Sequence, residues 1–502
     1  MKTMKRALAV FLALVMVLAL GTTAFAATIT MKGGAEGSEY AAFRLLNVTD
    51  GGEGKFAYTV NEKYRDVLQA ATGKTIDAEI IAHIGGMASD SEAIQSFADA
   101  VYAQITQAGL AADATTKNDK FEGVHQGYYL IAETKAGSDG DTYSLVMLNT
   151  AGQDEITIDT KENTPSLGKK VQEKNDSTGD TSGWQDGADY DIGDHVPFQL
   201  TGTVSNKYDS YKTYYYAFHD KMSAGLTFDE GSVVVKVDGT VIDASNYTVV
   251  YPATDGCTFD VIFTDLKQIT GATVTKDSKI TVEFTATLND KAVIGAPGNP
   301  NEAKLEYSNN PYDNGEGKPE TGETPWDKVV VFTYELIADK VDGEGKPLEG
   351  AGFTLYKYDA VAKDYVAVGD QITGQTTFTF TGLDAGQYKL VETTVPDGYN
   401  KADDIYFTIE ATYDTDSTDP KLTVLVVKDQ DGNIISEGES AVFNTSITDG
   451  SVNTKVKNLA GHELPSTGSI GTTIFYIVGG VLMAGAVILL VTRKKLSARK
   501  DS

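Results

Sequence analysis

The feature that most restricts the fold of this chain is a strict alternation of apolar and polar residues. Every second residue from Ile280 to Leu288 is apolar, and the residues between them are Thr or Glu. This period of two is typical of a β-strand with one buried face. Further strand patterns, separated by Asp-Gly turns, occur near Phe198, Tyr214, Val233, Val249 and Phe259. Their density predicts a β-sandwich over residues 163–324.

The segments on either side of this unit follow different patterns. Residues 325–450 again show strands separated by glycine-containing turns, which predicts a second β-sandwich, and residues 451–463 have the composition of a polar linker. Residues 27–162 mix strand patterns with a helical one, in which Ser89 and Glu92 resemble a capping box and Gly109 marks the end. The predicted fold class is therefore mainly β, with tandem β-sandwich domains preceded by a mixed α+β N-terminal domain.

Both ends of the chain carry the patterns of processed segments. Three basic residues precede an apolar run in residues 7–20, and Ala24-Phe25-Ala26 has the small-x-small pattern of a cleavage site. Residues 1–26 are therefore predicted to be a cleaved secretory signal peptide. Near the other end, the uncharged residues 469–492 are long enough to span a bilayer, and the basic tail from Arg493 is expected to stay cytoplasmic.

A short motif stands directly before this apolar span. It reads Leu464-Pro465-Ser466-Thr467-Gly468. The motif, the apolar span and the basic tail together cover residues 464–502 and resemble the sorting signal of Gram-positive surface proteins. The resemblance implies that a sortase cysteine attacks the Thr467 carbonyl, that Gly468 leaves, and that an amine takes the acyl group.

Charge and cysteine content narrow the range of partners. The chain has 42 Lys and Arg against 71 Asp and Glu; the two processed ends hold eight of the basic residues and one acid, so the mature segment has 34 against 70, a net charge of −36. Such a surface repels nucleic acid and anionic lipid. Because Cys257 is the only cysteine, an exported chain of this kind has no internal disulfide and needs another source of rigidity.

Reactive side chains fall on the apolar face of the predicted strands. In the first predicted sandwich, residues 163–324, Lys169 falls on the same side of its strand as Leu167 and Val171. In the same unit Asp220 follows alternating aromatic residues, and Asn309 falls on the same side as Tyr307. In the second predicted sandwich, residues 325–450, the corresponding residues are Lys340, Glu392 and Asn444.

These two sets predict a specific chemistry. Burial of an unpaired charge costs several kcal/mol, so a buried lysine tends to lose its proton and a buried acid to keep one. A neutral lysine amine is a nucleophile, and a protonated acid can polarise an Asn carbonyl and relay protons while ammonia departs. The predicted product is a Lys–Asn isopeptide bond in each β unit, promoted by Asp220 and Glu392. In residues 163–324, the alternation pattern favours Asn309 over Asn310 as the asparagine that forms the bond.

The same residues carry a family resemblance. Lys169 and its neighbours, the Asp220 segment and Tyr307-Ser-Asn-Asn-Pro311 resemble the isopeptide-forming fimbrial domain of Gram-positive pilins. Lys340 with residues 341–353, Glu392-Thr393 and Phe443-Asn444 resemble a Cna B-type domain, a compact immunoglobulin-like fold. The mature chain as a whole resembles a sortase-assembled major (shaft) pilin.

The resemblance also implies the partners and the location. They are a sortase, other copies of the chain in a covalent head-to-tail polymer, accessory pilins and peptidoglycan, with a host ligand left open; the location is a cell-wall-anchored surface fimbrium made from a membrane-anchored precursor. In that family Thr is joined to a lysine after a Val-x-Val-Tyr-Pro pattern. Lys161 keeps the β-branched spacing but lacks the Tyr-Pro pair, so Lys161 is the expected intersubunit lysine, with Lys170 and Lys135 as alternatives.

The sequence also bears on two other classes of function. A tip or basal adhesin, or a singly anchored surface adhesin, could be built from the same modules, but the sequence shows no extra ligand-binding insertion. The sequence has no G-x-S-x-G or P-loop motif, and its five histidines show no metal-ligand spacing. We therefore expect no enzyme activity on an external substrate, no cofactor and no metal.

Overall fold

A computed structural model describes most of the chain outside its two processed ends. The described residues are 26–32, 37–89, 91–135, 143–159, 164–312, 319–438, 441–460 and 470–497. The predicted signal peptide, except for Ala26, and the pentapeptide 464–468 lie outside them.

The N-terminal domain packs three helices against a sheet. Its strands are β1 (Ala26–Lys32), β2 (Glu39–Asp50), β3 (Phe56–Val60), β4 (Ala114–Thr116), β5 (Lys120–His125), β6 (Gly127–Lys135), β7 (Leu145–Asn149) and β8 (Glu155–Asp159), and its helices are α1 (Arg65–Thr72), α2 (Asp77–Gly85) and α3 (Glu92–Gln107). One sheet has the order β3-β2-β6-β7, with β4 paired to β2, and a smaller sheet has the order β5-β1-β8. The N-cap of α3 is Ser91, whose hydroxyl accepts a hydrogen bond from Ile94 N at 3.3 Å, so the expected cap at Ser89 was wrong by two residues.

The second domain is a sandwich of two seven-stranded sheets. Its strands are β9 (Leu167–Lys174), β10 (Thr181–Gln185), β11 (Gly187–Asp189), β12 (His195–Thr203), β13 (Tyr216–Met222), β14 (Leu226–Phe228), β15 (Val234–Val237), β16 (Thr240–Val241), β17 (Thr248–Val250), β18 (Phe259–Phe263), β19 (Lys279–Leu288), β20 (Asn299–Ser308), β21 (Thr321–Glu323) and β22 (Asp327–Phe332). One sheet has the order β10-β9-β12-β19-β15-β16, with β14 also paired to β19. The other has the order β11-β22-β20-β13-β18-β17, with β21 also paired to β20. After the exposed Lys279, strand β19 alternates between buried and half-buried residues, as its sequence pattern predicts.

The third domain is a smaller sandwich. Its strands are β23 (Tyr334–Val341), β24 (Gly352–Asp359), β25 (Asp364–Ala367), β26 (Ile372–Thr373), β27 (Thr377–Leu383), β28 (Gly386–Thr394), β29 (Ile405–Tyr413), β30 (Leu422–Lys428), β31 (Phe443–Ser446) and β32 (Ser451–Lys457). The sheets have the orders β27-β23-β32-β31 and β25-β24-β28-β29-β30. Strand β32 pairs in parallel with β23, so the predicted linker 451–463 is in its first half the last strand of this domain.

Strand β22 joins the second and third domains. It pairs with β20 and β11, which places residues 327–332 in the second domain. The predicted boundary at residue 325 assigned them to the third domain. Val329 and Val331 lie in the core of the second domain, whereas Val330 and Phe332 lie in the core of the third. The period of two thus lets one strand contribute to both cores, and only Thr333 separates β22 from β23.

An ion cluster lies at the same junction. The amine of Lys357, on β24, is 3.0 Å from Asp176, 2.6 Å from Asp191 and 2.7 Å from Asp384. Asp176 and Asp191 belong to the second domain. Because one largely buried cation bonds carboxylates of both domains, the cluster restrains the angle between them.

A single long helix follows the third domain. Helix α4 spans Ile470–Ser497, and its segment Phe475–Lys494 has a mean hydropathy of 2.3 with none of its residues buried. In length and composition it can cross a membrane, in agreement with the predicted span.

The acidic groups at the junction predict a pH dependence of stability. Burial raises the pKa of Glu173 to about 7 and of Asp189 and Asp194 to about 6. At pH 5–7 the folded chain therefore holds protons that the unfolded chain releases, so stability should rise as the pH falls through this window. Calorimetry of residues 27–465 should show a higher Tm near pH 5.5 than near pH 8.

The matched control is the double variant Glu173→Gln and Asp194→Asn, in which the difference in Tm between pH 5.5 and pH 8 should become smaller. A Tm that is flat or falls on acidification in the parent protein would contradict the assignment of these raised pKa values.

Candidate functional site

The second domain holds a lysine amine fully enclosed between its sheets. Lys169 lies on β9 in one sheet and Asp220 on β13 in the other, and neither side chain is exposed. The Lys169 amine is 2.5 Å from Asp220 Oδ2. It lies 5.4 Å from the ring centroid of Phe198 and 5.3 Å from that of Phe284. The pair is therefore shielded from water, with two aromatic rings beside the amine.

This burial changes the protonation of both groups. Desolvation lowers the pKa of Lys169 and raises the pKa of Asp220, although each partner opposes the shift of the other. Both shifts favour the neutral forms, an unprotonated amine beside a protonated carboxyl group. A neutral amine beside a carboxylic acid is the pair that nucleophilic attack on an amide requires.

A buried amide, that of Asn301, lies beside this pair. Asn301 lies on β20, pairs with Met222 on β13, and is fully buried on the core face. It is close enough to Asp220 to lower the pKa of the carboxyl against the larger effect of burial. Neither amide atom of Asn301 makes a well-aligned hydrogen bond within the described residues, whereas the amide of buried Asn299 on the same strand is satisfied by Val293 and Val331.

The predicted partner Asn309 is at the other end of β20, so this prediction was wrong in geometry. Asp220 pairs with Ala303, and Asn309 lies six positions further along, roughly 20 Å at about 3.3 Å per residue. Asn309 is buried near the N-terminal domain, where its carbonyl accepts a hydrogen bond from Tyr143 N at 2.9 Å. The alternative Asn310 donates to Glu320 at 3.2 Å and is equally remote.

The third domain contains a second buried group of the same composition. The Lys340 amine, on β23, is 3.2 Å from Glu392 Oε1 on β28, and it donates to Asn458 Oδ1. Asn458 Nδ2 donates to both Glu392 oxygens, at 2.8 and 3.1 Å. All three side chains are at most 2 % exposed, and desolvation lowers the pKa of Lys340. Amine, acid and amide thus form a closed triangle.

The predicted partner Asn444 does not belong to this triangle. On β31 Phe443 faces the core while Asn444 is exposed, and Val442, whose parity suggested that Asn444 is buried, is itself 52 % exposed. Asn458 takes the position instead, immediately after the last strand. The structure thus corrects the amide in both domains and leaves the lysine and acid of each where the sequence placed them.

A sequence signal for both missed residues existed. Asn301 shares the parity of Ala303, Leu305 and Tyr307, but at the start of the strand rather than its end. Asn458 continues the alternation of Val452 and Val456 in a stretch that its polar composition had assigned to a linker.

The predicted polymerisation residues are only partly within the described chain. Lys161 and residues 464–468 lie outside it. Of the two alternatives, the Lys170 amine is 2.5 Å from the buried Asp186, whereas Lys135 is an exposed residue 3.9 Å from Glu39.

Comparison with known families matches three segments of the chain. Residues 192–311 match the Cna-B-like domain of Gram-positive pilin backbone subunit 2, residues 335–421 match a prealbumin-like fold domain, and residues 457–495 match the LPXTG cell wall anchor motif. The Cna-B-like description therefore falls on the second domain, and the prealbumin-like one on the third.

Individual relatives are more distant. The trypsin-resistant surface T6 protein of Streptococcus pyogenes serotype M6 is 27 % identical over 445 residues, covering 73 % of this chain and 78 % of its own. The solved T6 backbone pilin, described as a modular three-domain structure, is 18 % identical with a TM-score of 0.50, covering 87 % of this chain and 98 % of its own. The major pilin SpaD of Corynebacterium diphtheriae is 19 % identical with a TM-score of 0.46 at the same coverage.

The matched segments describe a structural protein of the cell surface rather than an enzyme, and they agree with the wall anchor predicted from the C-terminal sequence. With the similarity to the T6 surface protein, they show that the chain resembles Gram-positive backbone pilins and carries the LPXTG cell wall anchor motif.

Proposed function

We propose that this chain is the shaft subunit of a sortase-assembled pilus, and that its second and third domains are each closed by an autocatalytic isopeptide bond. The bonds join Lys169 to Asn301 and Lys340 to Asn458. The observation that carries the proposal is the triangle of Lys340, Glu392 and Asn458, in which every polar atom that the reaction needs touches the next.

The reaction in each domain is an exchange of amines on one carbonyl carbon. The neutral lysine Nζ attacks Cγ of the asparagine, the bond from Cγ to Nδ2 breaks, and Nδ2 leaves as ammonia. The acid transfers a proton from the attacking nitrogen to the leaving one, so it is regenerated and nothing else is consumed. In the third domain Glu392 already contacts both nitrogens, which is the geometry that such a relay requires.

The positions of the bonds fit a load-bearing role. Lys340 is on the first strand of its domain and Asn458 follows the last, and these strands are parallel neighbours. Tension that enters one strand and leaves by the other would pass through the new amide bond instead of unzipping the ladder between them. The bond would close a loop of 118 residues, for which chain-entropy estimates give about 4–5 kcal/mol of stabilisation.

Intact mass tests the bonds directly. Recombinant 27–465 should weigh less than its sequence by two ammonia molecules, because each bond expels one. Asn301→Ala and Asn458→Ala should each show a deficit of only one ammonia, whereas Asn309→Ala and Asn444→Ala should keep both. A full sequence mass for the folded parent protein, or a deficit that changes with Asn309 or Asn444 instead, would refute the assignment.

The acid in the third domain should be required for the bond. Glu392→Gln keeps the size of the side chain but removes the proton relay, so the bond should not form and unfolding should become easier by at least about 4–5 kcal/mol. The measurement is thermal unfolding combined with intact mass, with Glu410→Gln, a more exposed acid paired with Lys428, as the control. A Glu392→Gln protein that still lacks two ammonia molecules would show that the acid is dispensable.

Polymerisation is proposed to join Thr467 of one subunit to Lys161 of the next. Lys170 is a poorer acceptor because Asp186 holds its amine, whereas Lys135 is exposed and is the stronger alternative. In cells with the cognate sortase, Lys161→Ala should abolish the ladder of high-mass species on a denaturing gel, and Lys170→Ala should leave it intact. A ladder that is lost in Lys135→Ala and kept in Lys161→Ala would move the junction.

A further inference from the structure

The outer face of the second domain holds a group of ligand-type side chains that no isopeptide bond uses. His219 and Asp260 are directly paired neighbours on β13 and β18, and the turn that leads into β18 adds Asp255 and Cys257. His219 and Asp260 are 7 % and 6 % exposed, although they point away from the core that holds Asp220. The four side chains therefore form one group beneath the turn.

The distances within this group are short. His219 Nδ1 is 2.8 Å from Asp260 Oδ1 and 3.0 Å from Asp255 Oδ2. One ligand atom from each of His219, Asp255, Cys257 and Asp260 lies within 4.8 Å of all the others. Tetrahedral Zn²⁺, with bonds of about 2.0–2.3 Å, holds its ligand atoms roughly 3.3–3.6 Å apart, so a small adjustment would bring all four onto one ion.

The second nitrogen of the imidazole completes the arrangement. His219 Nε2 is 3.3 Å from Glu306 Oε2, on the other neighbouring strand, β20. A metal-ligating histidine commonly donates its remaining N–H to a carboxylate, which fixes the ring orientation. Here Nδ1 faces Asp255 and Asp260, while Nε2 faces the carboxylate that would orient the ring.

Among the described residues, a second group of four ligand-type side chains, in this case all acids, provides a contrast. Asp176, Asp191, Asp194 and Asp384 also lie within 4.8 Å of one another, but the Lys357 amine bonds three of them and so supplies the cation. Around His219 three carboxylates and a thiol converge on a single imidazole. A divalent ion would balance that charge better than one proton on the ring.

We propose that His219, Asp255, Cys257 and Asp260 form a binding site for a zinc-like divalent cation, with Glu306 as the positioning residue of the histidine. The mixed nitrogen, sulfur and oxygen donors suit Zn²⁺ better than Ca²⁺ or Mg²⁺, which take oxygen ligands. Binding displaces the thiol proton and joins the turn before β18 to β13, as a cross-link where the chain has no disulfide.

Cobalt provides a spectroscopic test. Residues 27–465, freed of metal with a chelator, should bind one equivalent of Co²⁺ and show both the visible bands of tetrahedral cobalt and a near-ultraviolet thiolate-to-cobalt band. Cys257→Ser should remove the thiolate band, and His219→Asn should weaken binding at least tenfold. His195→Asn, a histidine paired with Asp229 in the opposite sheet, is the matched control and should bind as the parent does.

Zinc should also raise the Tm of the parent protein by an amount that increases with the zinc concentration, and this rise should be smaller in Cys257→Ser. Failure of the parent to bind cobalt, binding without the thiolate band, or a zinc-induced rise unchanged in Cys257→Ser would each overturn the proposal. The ammonia deficit is an independent readout, because Asp220 faces the opposite side of β13, so failure of this site leaves the isopeptide bonds untouched.

Discussion

The contact on which both sandwiches depend is that of a lysine amine with a carboxyl group inside an apolar core. A buried ion pair is costly because each ion loses its hydration, and removing one partner leaves the other uncompensated. At Lys169 and Asp220 desolvation moves the two pKa values toward each other and so favours the neutral pair. The same burial that is unfavourable for folding thus creates a nucleophile and an acid, and an amide bond would remove the ionisable amine permanently.

The connection between the domains explains how force can pass along the chain. Asp327, the first residue of β22, accepts a hydrogen bond from the backbone N–H of Lys169 at 2.6 Å, and β22 leads through Thr333 into β23, which carries Lys340. The two proposed bonds therefore lie on either side of a junction held without covalent cross-links. The side chains of β22 that enter both cores and the Lys357 cluster provide its rigidity, so under load we expect the junction to yield before either sandwich.

The sequence predicted the class of fold and two members of each reactive group because these depend on local periodicity. Lys169, Asp220, Lys340 and Glu392 each interrupt an apolar face, and such an interruption is visible in a few neighbouring residues. The third member depends on which end of a strand faces the acid across the sheet, which register alone decides. Parity could not choose between Asn301 and Asn309 on one strand, and it misassigned Asn444 because Phe443 rather than Val442 is buried.

Composition and spacing did not predict the features that depend on contacts between distant parts of the chain. The segment 451–458 reads as a polar tether, yet it forms a central strand, since parallel pairing with β23 buries Val452 and Val456. The group around His219 has no recognisable spacing because its members come from two strands and a turn that only the sandwich brings together. A strongly acidic chain must neutralise the carboxylates that it buries, and each cluster does so differently. In the core, burial favours the neutral pair of Lys169 and Asp220. At the junction Lys357 supplies a cation, and at the outer face a protonated histidine or the proposed divalent ion does so.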